Sequence, residues 1–411
     1  MTCSENRIRP AIAQVKRIIL AGSIAVLTAL SMACGSDSLT PPPHTSRALT
    51  VLGSGQVQDR FTGEIWSFGN VAYTTTWGNR GAPGNAVKIW DVTSDIPTLI
   101  DSLIVPSAVT LGDIQTSDDG QLLVVATEFR PGSIVLYSLA NPRKPQLITR
   151  YTTALTDPGV HTANVAAVGG RLYAFLSVDN TSTGPARLVI VDITDPTAPT
   201  QVFTQTMGSP FTHDTFVRDG ILFIAVWDAG IKIWDIGGGG RGGTPSSPVE
   251  MSTLATIGGE AHNIWWYKNA NTGERRYAFV GQEGPGLTGA TSSGDIHVVD
   301  VSNLASPHEV AFFHVDGAGT HNFYMDESRA LLYAAYYNGG VRVIDVSGDL
   351  SSCDASQRDL IGRCNLAEMG REVGHGLQDG PPVYVWGVQI SGGKLYASDM
   401  LNGIWKLSLL P

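Results

Sequence analysis

The stretch LVIVDITDPTAP, residues 188–199, decides the fold. Its first half is apolar and β-branched, a composition that suits a packed strand. Almost every position is apolar, so both faces should be buried, as in a middle strand of a sheet. Asp192 then ends the strand, because a short carboxylate can accept from nearby backbone and start a turn. The prolines that follow block further ladder pairing. Upstream, RLYAFLSV at 171–178 reads as a second strand and HTANVAAV at 161–168 as a third. TQVFTQT at 200–206, after the Pro turn, reads as a fourth.

The same unit returns along the chain. Its cores are VKIWDV at 87–92, IVLYSL at 134–139, LVIVDI at 188–193 and IKIWDI at 231–236. They continue as IHVVDV at 296–301, VRVIDV at 341–346 and a degenerate IWKLSL at 404–409, at steps of 43 to 65 residues. The fifth position is Asp91, Asp192, Asp235, Asp300 and Asp345, with Ser138 and Ser408 in the other two. Tight turns such as DAGI at 228–231 and NGGV at 338–341 lead into the cores, and Asn or Asp with Gly supplies the positive φ of a hairpin. Seven units of four strands predict an all-β chain, a seven-bladed β-propeller of four-stranded antiparallel blades. The last unit stops one strand short, and SRALTVLG at 46–53 is a spare strand, so an N-terminal strand should close the ring. A β-sandwich does not explain seven copies, and a parallel β-helix uses shorter, more regular turns.

The N-terminus reads as an address. Residues 1–17 are polar and basic, and IILAGSIAVLTALSMA at 18–33 is apolar, as in a secretory signal peptide spanning 1–33. LSMAC resembles a bacterial lipobox, which implies lipidation of Cys34, although Ser31 stands where that motif has Leu. Residues 34–45 form a Ser/Pro-rich tether, and 46–411 form the propeller. Cys353 and Cys364 are then an even pair in an oxidising compartment and should form a disulfide. A zinc site is the alternative, for which two thiolates supply half a ligand set.

The formal net charge is −10, and Lys plus Arg number only 27 of 411 residues. An acidic surface repels phosphate backbones, so no nucleic-acid partner is expected, and the membrane should be met through the lipid alone. The expected partner is an extracytoplasmic protein, peptide or glycan, and the chain is expected to be a monomer.

At its cores the sequence resembles the LVIVD-repeat family, since residues 188–192 spell the motif outright; the likeness extends over roughly 64–411. The resemblance implies a propeller and export in bacteria or archaea, and it carries over no catalytic residue.

Chemistry concentrates at one place in the repeat. His161, His213, His262 and His321 each open the first strand of a unit, in VHTAN, THDTF, AHNIW and THNFY. Trp66, Asp113 and Trp386 are read at the equivalent place in the other units, and Asp214 follows His213. First strands line a propeller axis, so these side chains should meet at one channel mouth, with the turn residues Asp228, Asn338 and Asp399 on the same face. The mixture suits a divalent metal or a polar ligand. A His at a fixed repeat position can also serve only to tie one blade to the next. The other tryptophans are read as packing, GGGGRGG at 237–243 as a flexible loop, and residues 281–295 as a Gly-rich insertion. No motif names a reaction, so no catalytic residue and no resident cofactor are predicted. The functional expectation is an exported, lipid-anchored, non-enzymatic binding module; a metal-assisted hydrolase or lyase is the alternative.

Overall fold

The computed structural model describes residues 45–182, 184–208, 211–286 and 291–411. The expected signal peptide, Cys34 and the expected tether as far as His44 lie outside the described residues.

Seven antiparallel sheets stand in a ring. Blade one is Phe61–Phe68, Val71–Trp77, Ala86–Asp91 and Thr98–Ile104; blade two is Thr110–Thr116, Leu122–Glu128, Ser133–Ser138 and Gln146–Tyr151. Blade three is Val160–Val168, Arg171–Val178, Ala186–Asp192 and Thr200–Gly208; blade four is Thr215–Arg218, Ile221–Ala225, Ile231–Asp235 and Val249–Leu254. Blade five is Ala261–Trp266, Tyr277–Gln282, Ile296–Asp300 and His308–Phe313. Blade six is Phe323–Asp326, Leu331–Ala335, Val341–Asp345 and Glu372–Gly376. Blade seven is Val385–Ser391, Lys394–Asp399 and Gly403–Ser408, completed by Val51–Gln56. Each first strand lies beside the next around the axis, and the last lies against the first.

The repeated cores are the third strands, buried on both faces as their sequence requires. Apolar residues of adjacent blades merge into one hydrophobic cluster at each seam. Full burial of one such side chain contributes roughly 1.5–3 kcal/mol, so the stacked seams hold the wheel together. The terminal Asp of each core accepts from the backbone two residues on: Thr93 to Asp91, Thr194 to Asp192, Ser302 to Asp300 and Ser347 to Asp345, at 2.9–3.0 Å. Asp235 goes further. Gly237, Gly238 and Gly239 donate to its Oδ1, and Arg241 and Gly243 to its Oδ2, at 2.7–3.2 Å. The glycine run expected to be a flexible loop is therefore wound around a buried carboxylate.

Closure differs in register from the expected 46–53 strand. Arg47–Ala48 pairs in parallel with Glu372–Gly376 of blade six, and only Val51–Gln56 pairs antiparallel with Gly403–Ser408. Leu49, buried in the seam between blades six and seven, separates the two pairings. Glycine is required inside the closing strand: a Cβ on Gly55 would collide with the Trp90 ring.

Between the third and fourth strands of blade six the chain makes a long excursion. Cys353 and Cys364 are joined there by the expected disulfide, with Cα atoms 6.0 Å apart. Cys364–Asn365 then adds a short parallel strand to the outer edge of blade five, tying the two blades.

Candidate functional site

The first strand of every blade carries a β-bulge at the mouth of the axis. In blades three, five and seven the pairing skips one residue, His161, His262 and Trp386. In blades four and six the same device shows as His213 N donating to Ala225 O while Ala225 N donates to Asp214 O, and likewise for His321, Ala335 and Asn322. In blades one and two the skip is two residues, Gly63–Glu64 and Gly112–Asp113. A bulge re-aims a side chain out of the pleat, here toward the axis.

The four histidines consequently meet as one arc across four consecutive blades. Ring centroids of His161 and His213 are 4.2 Å apart, those of His213 and His262 3.8 Å, and those of His262 and His321 4.1 Å. Trp386 continues the arc, 4.4 Å from His321. The arc forms one wall of a cavity of about 310 Å³ that also includes Trp77, Trp227, Phe211 and Leu111.

A second ring of side chains stands behind the arc. It comes from one register at the ends of the second strands: Trp77, Glu128, Asp179, Trp227, Glu283 and Tyr337. His161 Nδ1 lies 3.1 Å from Glu128 Oε1 and 3.5 Å from Asp179 Oδ1. Trp77 Nε1 donates to Glu128, and the Tyr337 hydroxyl donates to Glu283 Oε1 at 2.6 Å. Glu64, Glu128, Asp179 and Glu283 are absent from the residues the sequence singles out. Aligning second-strand ends against the histidine register would have found three of them.

Electrostatics sort the histidines. Burial disfavours a charge on His161, but Glu128 and Asp179 outweigh it and push its pKa up to about 10. His213 and His262 are held well below the ordinary value by burial and by neighbouring imidazoles, and burial takes His321 down to about 3. The last three are therefore neutral imidazoles, the form that offers a lone pair. His321 Nδ1 meets the Trp386 carbonyl at 2.6 Å, which ties blade six to blade seven. His161 Nε2 meets His213 Nε2 at 2.8 Å. Tying accounts for no more than that: His213 Nδ1 and both ring nitrogens of His262 are buried without a hydrogen-bond partner. Elsewhere the bulge neighbours make the ties, as in Thr162 Oγ1 donating to His213 O at 2.6 Å and Asn322 Nδ2 donating to Glu64.

The structure redistributes the remaining candidates. Asp113 and Asp214 do not join the histidine arc; with Glu64 and Asn322 they line both this cavity and a second one at the opposite mouth, and so form the waist between them. Burial raises the pKa of both aspartates. Trp66 lies in the opposite cavity, its indole donating to Thr116, because the strand pairing puts Gly63, three residues earlier, at the histidine register instead. Asp228 is exposed on its turn, and Asn338 donates to Gly317 O. Asp399 is a buried brace of blade seven, accepting from Tyr384 N, Leu401 N and Trp405 Nε1. None of these three turn residues lines the cavity. Trp227, read as packing, does line it.

Comparison with known proteins agrees with the fold. A family model for the LVIVD repeat matches residues 161–206, 212–256 and 290–314. No curated protein matches the chain. Similar solved structures include that of Sqt1 from Saccharomyces cerevisiae, at a TM-score of 0.54 and 11% identity, over 87% of this chain and 85% of that one. At that identity the likeness speaks for the fold alone.

Proposed function

We propose that this LVIVD-repeat propeller is an exported, lipid-anchored binding module that takes a small, largely apolar ligand in the axial chamber at its histidine mouth. One observation carries the reading. The chamber brings Trp77, Trp227, Trp386 and Phe211 together over buried nitrogens that find no partner within the protein. Ligand sites combine an apolar lining with a few placed polar groups in this way, and about 310 Å³ suits a single ring system or the end of a peptide or glycan, not a folded surface. Export is supported by the N-terminal reading and by the disulfide, which belongs to an oxidising compartment.

The test is a thermal-shift and tryptophan-fluorescence screen of small aromatic, aliphatic and sugar-derived compounds against the purified chain. A true ligand raises Tm in proportion to the logarithm of its concentration. That shift should be lost in Trp227→Ala and retained in Trp66→Ala, whose indole lies in the other cavity. A shift indifferent to Trp227, or no shift from any compound, overturns the reading. Mass spectrometry of the N-terminus decides lipidation: an acylated Cys34 supports it, and an unmodified or earlier terminus removes it.

A further inference from the structure

We infer that His213, His262 and Glu283 hold one divalent first-row transition-metal ion in the wall of this chamber. The first reason is convergence. One ligand atom from each of the three lies within 4.8 Å of the others, the one such group of His, Cys, Asp and Glu among the described residues. All three are buried, and they come from two adjacent blades.

The second reason is the state of the donors. His262 is 1% exposed, and neither ring nitrogen has a partner; His213 is 8% exposed, and its Nδ1 has none. A buried imidazole nitrogen left this way forfeits the hydrogen bond that water would give it, and native interiors rarely carry several side by side. A shared ion would give each ring a partner for one nitrogen. Distances agree: His262 Nε2 stands 3.9 Å from Glu283 Oε2, too far for a hydrogen bond. That gap is within what an ion spans with bonds of about 2.0–2.2 Å on each side.

The third reason lies behind the ligands. Glu283 Oε1 is fixed by the Tyr337 hydroxyl at 2.6 Å, and Oε2 is the oxygen that lies 3.9 Å from His262 Nε2. A ligating carboxylate oriented by an outer hydrogen bond is the usual construction of a metal site. Two imidazoles with one carboxylate suit zinc and ferrous iron, and three protein ligands leave a coordination position for water or for a ligand. Calcium and magnesium are excluded by the same donors, since both ask for an oxygen shell.

The inference rests on the chamber being a binding site only in that the open position faces it. It therefore has its own test. The purified chain is stripped with a chelator, reloaded separately with zinc, ferrous iron, manganese or calcium, desalted, and analysed for metal by mass spectrometry. One equivalent of zinc or iron and none of calcium is expected. Cobalt(II) loading should add a visible d–d band. Glu283→Gln, close to isosteric, and His262→Ala should each lower retained metal at least tenfold. His314→Ala, outside the chamber, should retain it. Circular dichroism checks that each variant is folded, and a rise in wild-type Tm on loading reads binding independently of any variant. Failure of the wild type to retain zinc or iron overturns the inference, as does full retention by a folded Glu283→Gln. Compound binding by stripped protein separates the two readings, because it persists if only the metal is wrong.

Discussion

The Tyr337 hydroxyl donates to Glu283 Oε1 at 2.6 Å, across the seam between blades five and six. Tyr337 touches no proposed ligand nitrogen through this bond; it only sets the carboxylate. Tyr337→Phe should therefore weaken metal retention by about 10–100-fold. Competition with a chromophoric chelator measures this, and Tm of the stripped protein should change little.

Asp235 gives a prediction about acid. Burial works against its charge, but the backbone N–H groups of Gly237, Gly239, Arg241 and Gly243 outweigh it and lower its pKa to about 2. A depressed folded-state pKa contributes stability above the ordinary aspartate range, lost as pH falls from about 4 toward 2. Asp235→Asn leaves two or more backbone donors without acceptors and should cost about 2–4 kcal/mol at neutral pH. Urea titrations at pH 3 and pH 7 should show the variant and wild type converging at the lower pH.

Glu64 should behave in the opposite sense. Burial, with a smaller push from Asp113, raises its pKa to about 8. Wild type therefore loses stability as pH rises from about 4.5 through 8, where a buried carboxyl must ionise. Glu64→Gln removes that loss. Its Tm should exceed wild type at pH 8.5 and match it near pH 4.5, by differential scanning calorimetry.

The disulfide closes a short loop whose Cys364 is buried in the seam between blades five and six. Replacing both cysteines by Ala should lower stability by about 2–4 kcal/mol. Hydrogen exchange should rise in 347–371 and in the outer strand of blade five, with the far side of the ring unchanged.

Gly55 packs its Cα against Trp90 in the seam between the closing blade and blade one. Gly55→Val forces a side chain into that ring and should cost about 1–3 kcal/mol. Limited proteolysis should then cut first near residues 45–60, because the displaced segment is the one that locks the circle.

The repeat was legible because five of the seven cores couple a buried apolar run to an Asp whose turn-making role is local, and the other two carry Ser there, so composition alone marks it. His161, His213, His262 and His321 were legible for a similar reason, since one residue type recurs at one register. Glu128, Asp179 and Glu283 share a register too, but Trp77, Trp227 and Tyr337 occupy it in other blades, so no residue type announces it. Trp66 was placed wrongly because blade one has Gly63 at the histidine register, three residues earlier, and a glycine offers no side chain by which that register can be recognised. The Gly-rich run at 237–243 looked loose because its order comes from a single carboxylate, a contact invisible to composition.

Finally, the N-terminal segment lies along blade six at Arg47–Ala48 before it reaches blade seven at Val51–Gln56. Tension applied at residue 45 would load the parallel pair in shear, with its hydrogen bonds strained together, before any of it reached the strand that completes the circle. A domain held by its leading end would thus have a mechanical fuse ahead of its clasp, and could be tugged without being unwound.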